Sequence, residues 1–178
     1  MIGSEIEIST LRHSDMIENA SELLALVCGI RGSSSLWNSD YLSYISSQDD
    51  YLGYIARNDV GILAGVVILH RVSSINALML NHPHIFLRRL VVAPKMRLNG
   101  LGRLLLQTAS KELARTSHFP DVSSVGWQTN IKNKDGTEFF GRLGFHPIGQ
   151  IRVGETTDNI YSVVRVDFIG RCDERIRK

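Results

Sequence analysis

The chain has 178 residues, 43% of them hydrophobic and 21% charged, with a formal net charge of +2. That balance describes one soluble globular domain, long enough to bury a core without staples. The small, scattered positive charge argues against a nucleic-acid partner. The longest apolar run, residues 62–69, is far short of the roughly 20 residues that a membrane span needs, so no membrane partner is expected either.

Glu5, Glu7, Asp15 and Glu18 precede any long apolar stretch, which does not fit a secretory signal and makes the cytoplasm the default location. Ile6 and Ile8 alternate in a first strand reaching Leu11, and Ser14 or Asp15 can cap a helix running to about Val27. Residues 29–35, rich in Gly and Ser, read as a flexible loop. Trp37, Tyr41, Tyr44 and Ile45 recur at helical spacing, the ordinary signature of a buried helix face. Residues 51–57 and 60–72 make a hairpin around Asn58 and Asp59, whose side chains suit turns. A connection over 73–82 leads to a strand over 84–92. Further on lie a helix carrying Leu101, Leu104, Leu105, Ala109 and Leu113, a strand over 122–129, a helix over 135–143, and closing strands over 146–153 and 160–168. Residues 1–170 form the domain, and the highly charged end from 171 to 178 is expected to fray. Cys28 and Cys172 match no metal or redox spacing and read as a buried thiol and a tail thiol; no metal site is expected.

The most informative stretch joins the strand ending Leu90-Val91-Val92 to the helix starting at Leu101, through Arg97-Leu98-Asn99-Gly100-Leu101-Gly102. The first amides of a helix lack intrahelical acceptors and carry the positive end of its dipole, so such a joint holds phosphate. Gly100 and Gly102 let phosphate oxygens approach the backbone, and Arg97 adds a fixed charge. No G-x-x-x-x-G-K-[ST] is present, which argues against a P-loop. A dinucleotide fold places its glycine motif in a first βα unit, whereas this turn lies midway along the chain after a hairpin.

The segment resembles motif A of the GCN5-related N-acetyltransferases (GNAT), L-x-V-x-P-x-x-[RQ]-x-x-G-x-[GA], at every fixed position. Asn133, Gly136, Phe140, Gly144 and Phe145 fall at the spacing of that family's motif B, with Phe140 where tyrosine is usual. The resemblance covers roughly residues 6–168. It implies an α/β (α+β) domain with a mixed, mostly antiparallel central sheet flanked by helices. It also implies acetyl-coenzyme A as cosubstrate, and transfer of its acetyl group to an amine of a small molecule or peptide. Amides of Leu98, Asn99, Gly100, Leu101, Gly102 and Arg103 would then cradle the pyrophosphate with Arg97. The backbone of Leu90, Val91 and Val92 would pair with the pantetheine arm as a strand does. Asn133 would face that arm or cap its helix, and Phe140 would pack near the thioester. Trp37 and Tyr41 would touch the acceptor or pack in the core. Homodimers are common in the family, and residues 160–166 are apolar enough either to support one or to sit inside the sheet.

The family's usual acid is absent at Phe140, and Tyr161 is the nearest replacement. A thiol with a pKa of about 8.5 also leaves as thiolate at modest cost. The family's base tends to lie four or two residues before the leucine of L-x-V, positions held here by Phe86 and Arg88, with His84 next on the same strand face. His84 is either the base, acting through a water chain, or a surface loop histidine. Arg88 cannot accept a proton at neutral pH, yet it can clamp an acceptor carboxylate or form an internal ion pair. The rival reading is a non-catalytic acyl-coenzyme A binding or sensing module.

Overall fold

The computed structural model describes residues 5–18, 20–28, 50–72, 83–115 and 119–174. Trp37, Tyr41, Tyr44, Ile45 and the connection over 73–82 lie outside them. Seven strands form one mixed sheet: β1 (Glu7–Thr10), β2 (Tyr51–Arg57), β3 (Leu63–Val72), β4 (His84–Val92), β5 (Ser124–Asn130), β6 (Gly149–Val153) and β7 (Thr156–Val164), in the order β1-β2-β3-β4-β5-β7-β6. The helices are α1 (His13–Glu18), α2 (Ala20–Cys28), α3 (Leu101–Arg115), α4 (Lys134–Arg142) and α5 (Arg165–Asp173). The expected mostly antiparallel sheet with flanking helices is therefore present. β4 and β5 run parallel; β1–β2, β5–β7 and β6–β7 run antiparallel.

Contacts concentrate in two compact units, Met1–Leu69 with Arg88–Ala109, and His70–Leu87 with Ser110–Lys178. In the first, Leu63 to Leu69 are all buried, as an apolar run covered on both faces must be. Leu11, Met16, Leu23, Ile55, Leu63, Val66, Ile68 and Val91 form its core. The hairpin turn is longer than expected, and β3 starts at Leu63 instead of Val60. Asn58 holds that turn, its carbonyl accepting from Gly61 N at 2.9 Å and its Oδ1 from Ile62 N at 2.8 Å. Glu22 ties α2 to the same hairpin, accepting from Leu63 N at 2.9 Å and from Arg57 at 3.1 Å. Along α3 the buried stripe is Leu101, Leu105, Leu106, Ala109 and Leu113, whereas Leu104, expected on that face, is exposed.

In the second unit Trp127 of β5 lies among Phe140, Phe145, Tyr161 and Phe168. The last strand was expected over 160–168; it spans Thr156–Val164, and residues 165–173 are helical. Phe168 and Cys172, four residues apart, are fully buried, so the chain stays packed beyond Gly170 and Cys172 is not a tail thiol. Arg165 anchors the start of α5, its guanidinium donating to the carbonyls of Leu113 and Phe119. β7 lies between β5 and β6; residues 158–164 pair with β5, and Ile160 and Tyr161 are buried.

Candidate active site

Ala93 N donates to Ala64 O at 2.8 Å, holding the end of β4 against β3, and Pro94–Met96 form one 3-10 turn. Gly65 permits this approach, since a Cβ there would stand 2.9 Å from both the Val91 carbonyl oxygen and Leu105 Cδ1. Arg97 then runs extended, and its Nε donates back to Val92 O at 3.2 Å. Leu98 (φ +63°) and Gly100 (φ +81°) are both left-handed. For leucine that conformation costs about 1–2 kcal/mol, with no compensating burial, because Leu98 is 96% exposed. Strain of this kind collects where a loop is shaped for a ligand. The step from left-handed Gly100 into right-handed α3 turns successive amides toward one side, as in an anion-binding nest. The helical ladder opens with Leu104 N donating to Gly100 O at 3.0 Å, so the amides of Leu101, Gly102 and Arg103 precede it. Arg103 Nη2 is buried with no acceptor among the described residues. Leu90 and Val92 are half-buried and Val91 is buried, while Leu98, Asn99 and Gly100 are exposed.

Of the remaining described candidates, all but Arg88 belong to the second unit. Asn133 is the cap of α4, its Oδ1 accepting from Gly136 N at 3.0 Å. Gly136 makes room for it, because a Cβ there would meet Asn133 Nδ2 at 2.6 Å. Phe140 is buried, its ring 4.9 Å from Trp127 and 5.7 Å from Tyr161. Tyr161 pairs with Trp127 across β5–β7 and stacks on it at 4.9 Å, the planes 5° apart. Thr129 Oγ1 donates to the Tyr161 hydroxyl at 3.5 Å. Phe140 and its suggested replacement thus share one aromatic cluster.

His84 is on β4 and fully buried, which removes the surface-loop alternative. Its ring meets Phe86 edge-on at 6.4 Å. Phe86 packs against Ile160, with Val72 and Ile151 around them. Because Ile160 and Tyr161 are successive residues of β7, they point to opposite faces. The row of His84 and Phe86 therefore lies on the face of the sheet opposite Tyr161 and Phe140. Arg88, two residues further along β4, is half-buried, and its carbonyl accepts from Arg89 Nη1 at 2.9 Å.

The sequence reading missed Trp127, Thr129 and Arg171. Trp127 and Thr129 alternate along a strand like any core residues. Arg171 carries no signal until α5 is recognised: its guanidinium donates to the Gly144 carbonyl and lies over the Phe145 ring at 5.4 Å.

A sequence model described as the Acetyltransferase (GNAT) family matches residues 22–145. A search of curated protein sequences finds no significant match. Among solved structures, the chain is similar to the ribosomal-protein-S18-alanine N-acetyltransferase from Escherichia coli, with 17% identity over 90% of this chain and 94% of that one, at a TM-score of 0.66. It is also similar to Arabidopsis thaliana NAA60 in complex with acetyl-CoA (14% identity, 90% and 98% covered, TM-score 0.69). A third is a chimera of the spermidine N-acetyltransferase SpeG from Vibrio cholerae with hSSAT (11%, 93% and 99%, TM-score 0.64). At these identities the likeness is one of fold.

Proposed function

The chain belongs to the acetyltransferase (GNAT) family, and from that premise we propose that it transfers the acetyl group of acetyl-coenzyme A to a primary amine, by direct attack in a ternary complex. The observation that carries this reading is the joint from β4 to α3, where left-handed Leu98 and Gly100 lead into the amides of Leu101, Gly102 and Arg103. The residues present fit an anionic coenzyme, because Arg103 Nη2 is a buried donor with no acceptor among the described residues. Amides 98–103, Arg97 and Arg103 would hold the pyrophosphate, and the backbone of Leu90 to Val92 would pair with the pantetheine arm. Once bound, the coenzyme supplies the activated thioester.

Aminolysis joins the amine nitrogen to the acetyl carbon and breaks the carbon–sulfur bond; one proton leaves the nitrogen and one is available to the sulfur. Tyr161 suits the second transfer, since its ring belongs to the same aromatic cluster as Phe140 and its hydroxyl has Thr129 Oγ1 at 3.5 Å. His84, on the opposite face, suits the first through water. Phe86 and Arg88 continue its row along β4, and Arg88 favours acceptors bearing a carboxylate over polycations. Trp37 and Tyr41 belong to the family's acceptor region. No helix among the described residues is long and apolar enough to cross a membrane, and we assign the activity to the cytoplasm.

Phe140 in place of tyrosine, together with the complete burial of His84, favours one second reading, a non-catalytic acyl-coenzyme A sensor. Calorimetry with coenzyme A, followed by thiol release from acetyl-coenzyme A against amino acids, their amides, polyamines and peptides with free N-termini, separates the two. Binding with release on one acceptor class is the expected result. Binding without release on any class selects the sensor, and no binding overturns both.

A further inference from the structure

On the reading above Phe140 stands at the thioester, and we infer that Arg171 of α5, beyond the family-matched residues 22–145, is the residue that positions it. The last turn of α4 closes on Phe140: its carbonyl accepts from Leu143 N at 3.1 Å and from Phe145 N at 3.0 Å, while Gly144 N donates to Gly141 O at 2.9 Å. Gly144 is left-handed at φ +79°, so the chain reverses there. Arg171 Nη1 takes the Gly144 carbonyl, and Arg171 Cζ stands 5.4 Å over the Phe145 ring. A charged donor on a carbonyl and a cation over a ring are each stronger than their neutral counterparts.

The same helix also packs Phe168 against Phe145, 5.7 Å away with the ring planes 27° apart. Phe145 in turn meets Trp127 edge-on at 5.1 Å, and Trp127 lies 4.9 Å from Phe140. Arg171 also walls a cavity of about 180 Å³ together with Trp127, Phe145 and Tyr161. Arg171 therefore forms part of the cover over the aromatic cluster on that side. Removing the guanidinium widens the cavity and strands the Gly144 carbonyl, and Phe145, Trp127 and Phe140 gain room to shift. A displacement of about 1 Å in a positioned group can cost on the order of 100-fold in rate.

The test uses the full chain with Arg171→Met, which keeps an unbranched stem and removes charge and donors, and Arg171→Lys, which restores charge and one donor. Expected for Arg171→Met are a kcat lower by about 10- to 100-fold and coenzyme A affinity by calorimetry within about 3-fold of wild type. Hydrogen exchange should be faster at the Gly144 and Phe145 amides, with β5 amides unchanged. Arg171→Lys should recover most of the kcat. An unchanged kcat in Arg171→Met overturns the inference. So does a kcat that merely follows the folded fraction, with exchange rising throughout β5 and β7. A wild-type protein that binds no coenzyme A would overturn the proposed function instead. The positioning then stands or falls on exchange at Gly144 and Phe145 alone, and protection unaffected by Arg171→Met would refute it.

Discussion

Gly100 and Gly61 are a matched pair: their φ values are +81° and +78°, and a Cβ built on either meets nothing within 4 Å. In the free protein, alanine at either position therefore tests the backbone alone. A left-handed alanine costs about 1–2 kcal/mol, of which the smaller freedom of the unfolded chain offsets about 0.4–1 kcal/mol. Each variant should lose close to 1 kcal/mol, or about 2–4 °C in Tm for a chain of this size. Their effects on coenzyme A should differ. Gly61 closes the β2–β3 turn, its amide donating to Asn58 O. Gly100 instead sets the direction of the amides that open α3, and its carbonyl accepts from Leu104 N. Re-aiming one amide away from a phosphate forfeits a charged hydrogen bond of about 1.5–3 kcal/mol, which weakens binding by about 10- to 150-fold. Thermal denaturation and calorimetry with coenzyme A on both variants decide the matter. Equal weakening in Gly61→Ala, or wild-type affinity in Gly100→Ala despite the matched loss of Tm, would refute the pyrophosphate assignment.

Gly102→Glu should abolish coenzyme A binding with the fold retained, because it places bulk and negative charge among the amides; calorimetry with circular dichroism checks it. Phe140→Tyr should keep or raise turnover, with up to about 1–3 kcal/mol lost if the new hydroxyl finds no partner beside Trp127; steady-state rates and Tm are the measurements, and a collapse of activity in a stable variant would dissociate residue 140 from the thioester. Gly65→Ala should destabilise by about 1–3 kcal/mol, since the new Cβ meets a backbone carbonyl that cannot swing aside; an unchanged Tm would contradict the close approach of β3 to Val91. Arg88→Ala should raise KM about 10- to 150-fold for an amino acid and little for its amide; equal losses on both assign Arg88 to structure.

Much of the fold was legible because its signals are local. The strand over 84–92 reads at its full length, and the strand–glycine–helix joint after it is encoded within a dozen residues. The closing segment misled because Ile160 to Val166 is β-branched at several positions, and α5 begins without an N-cap side chain at Val164. Its anchor is Arg165, which reaches carbonyls more than 40 positions earlier. The helical spacing of Phe168 and Cys172 was present but read as a strand and a tail. Asn133 illustrates a different ambiguity: one side chain fits both a cap and a ligand contact, and the 3.0 Å bond to Gly136 N shows the cap formed.

The proton-transfer candidates depend on information that no local pattern carries. Whether His84 and Tyr161 share a face is set by the register Phe86↔Gly126 between β4 and β5 and Gly126↔Ser162 between β5 and β7. Gly126 has no side chain, so Phe86 can pack across it onto Ile160, and the next residue, Tyr161, must point the other way. A one-residue slip in either pairing would put Tyr161 on the His84 face, and a slip between β5 and β7 would also part it from Trp127. The stacked pair of Trp127 and Tyr161, with Phe168 edge-on to Trp127, makes a slip between β5 and β7 costly. In the proposed reaction a base at His84 and an acid at Tyr161 would consequently approach from opposite faces. One proton is removed where the amine arrives and the other supplied where the sulfur departs, and neither group can take over the other's task.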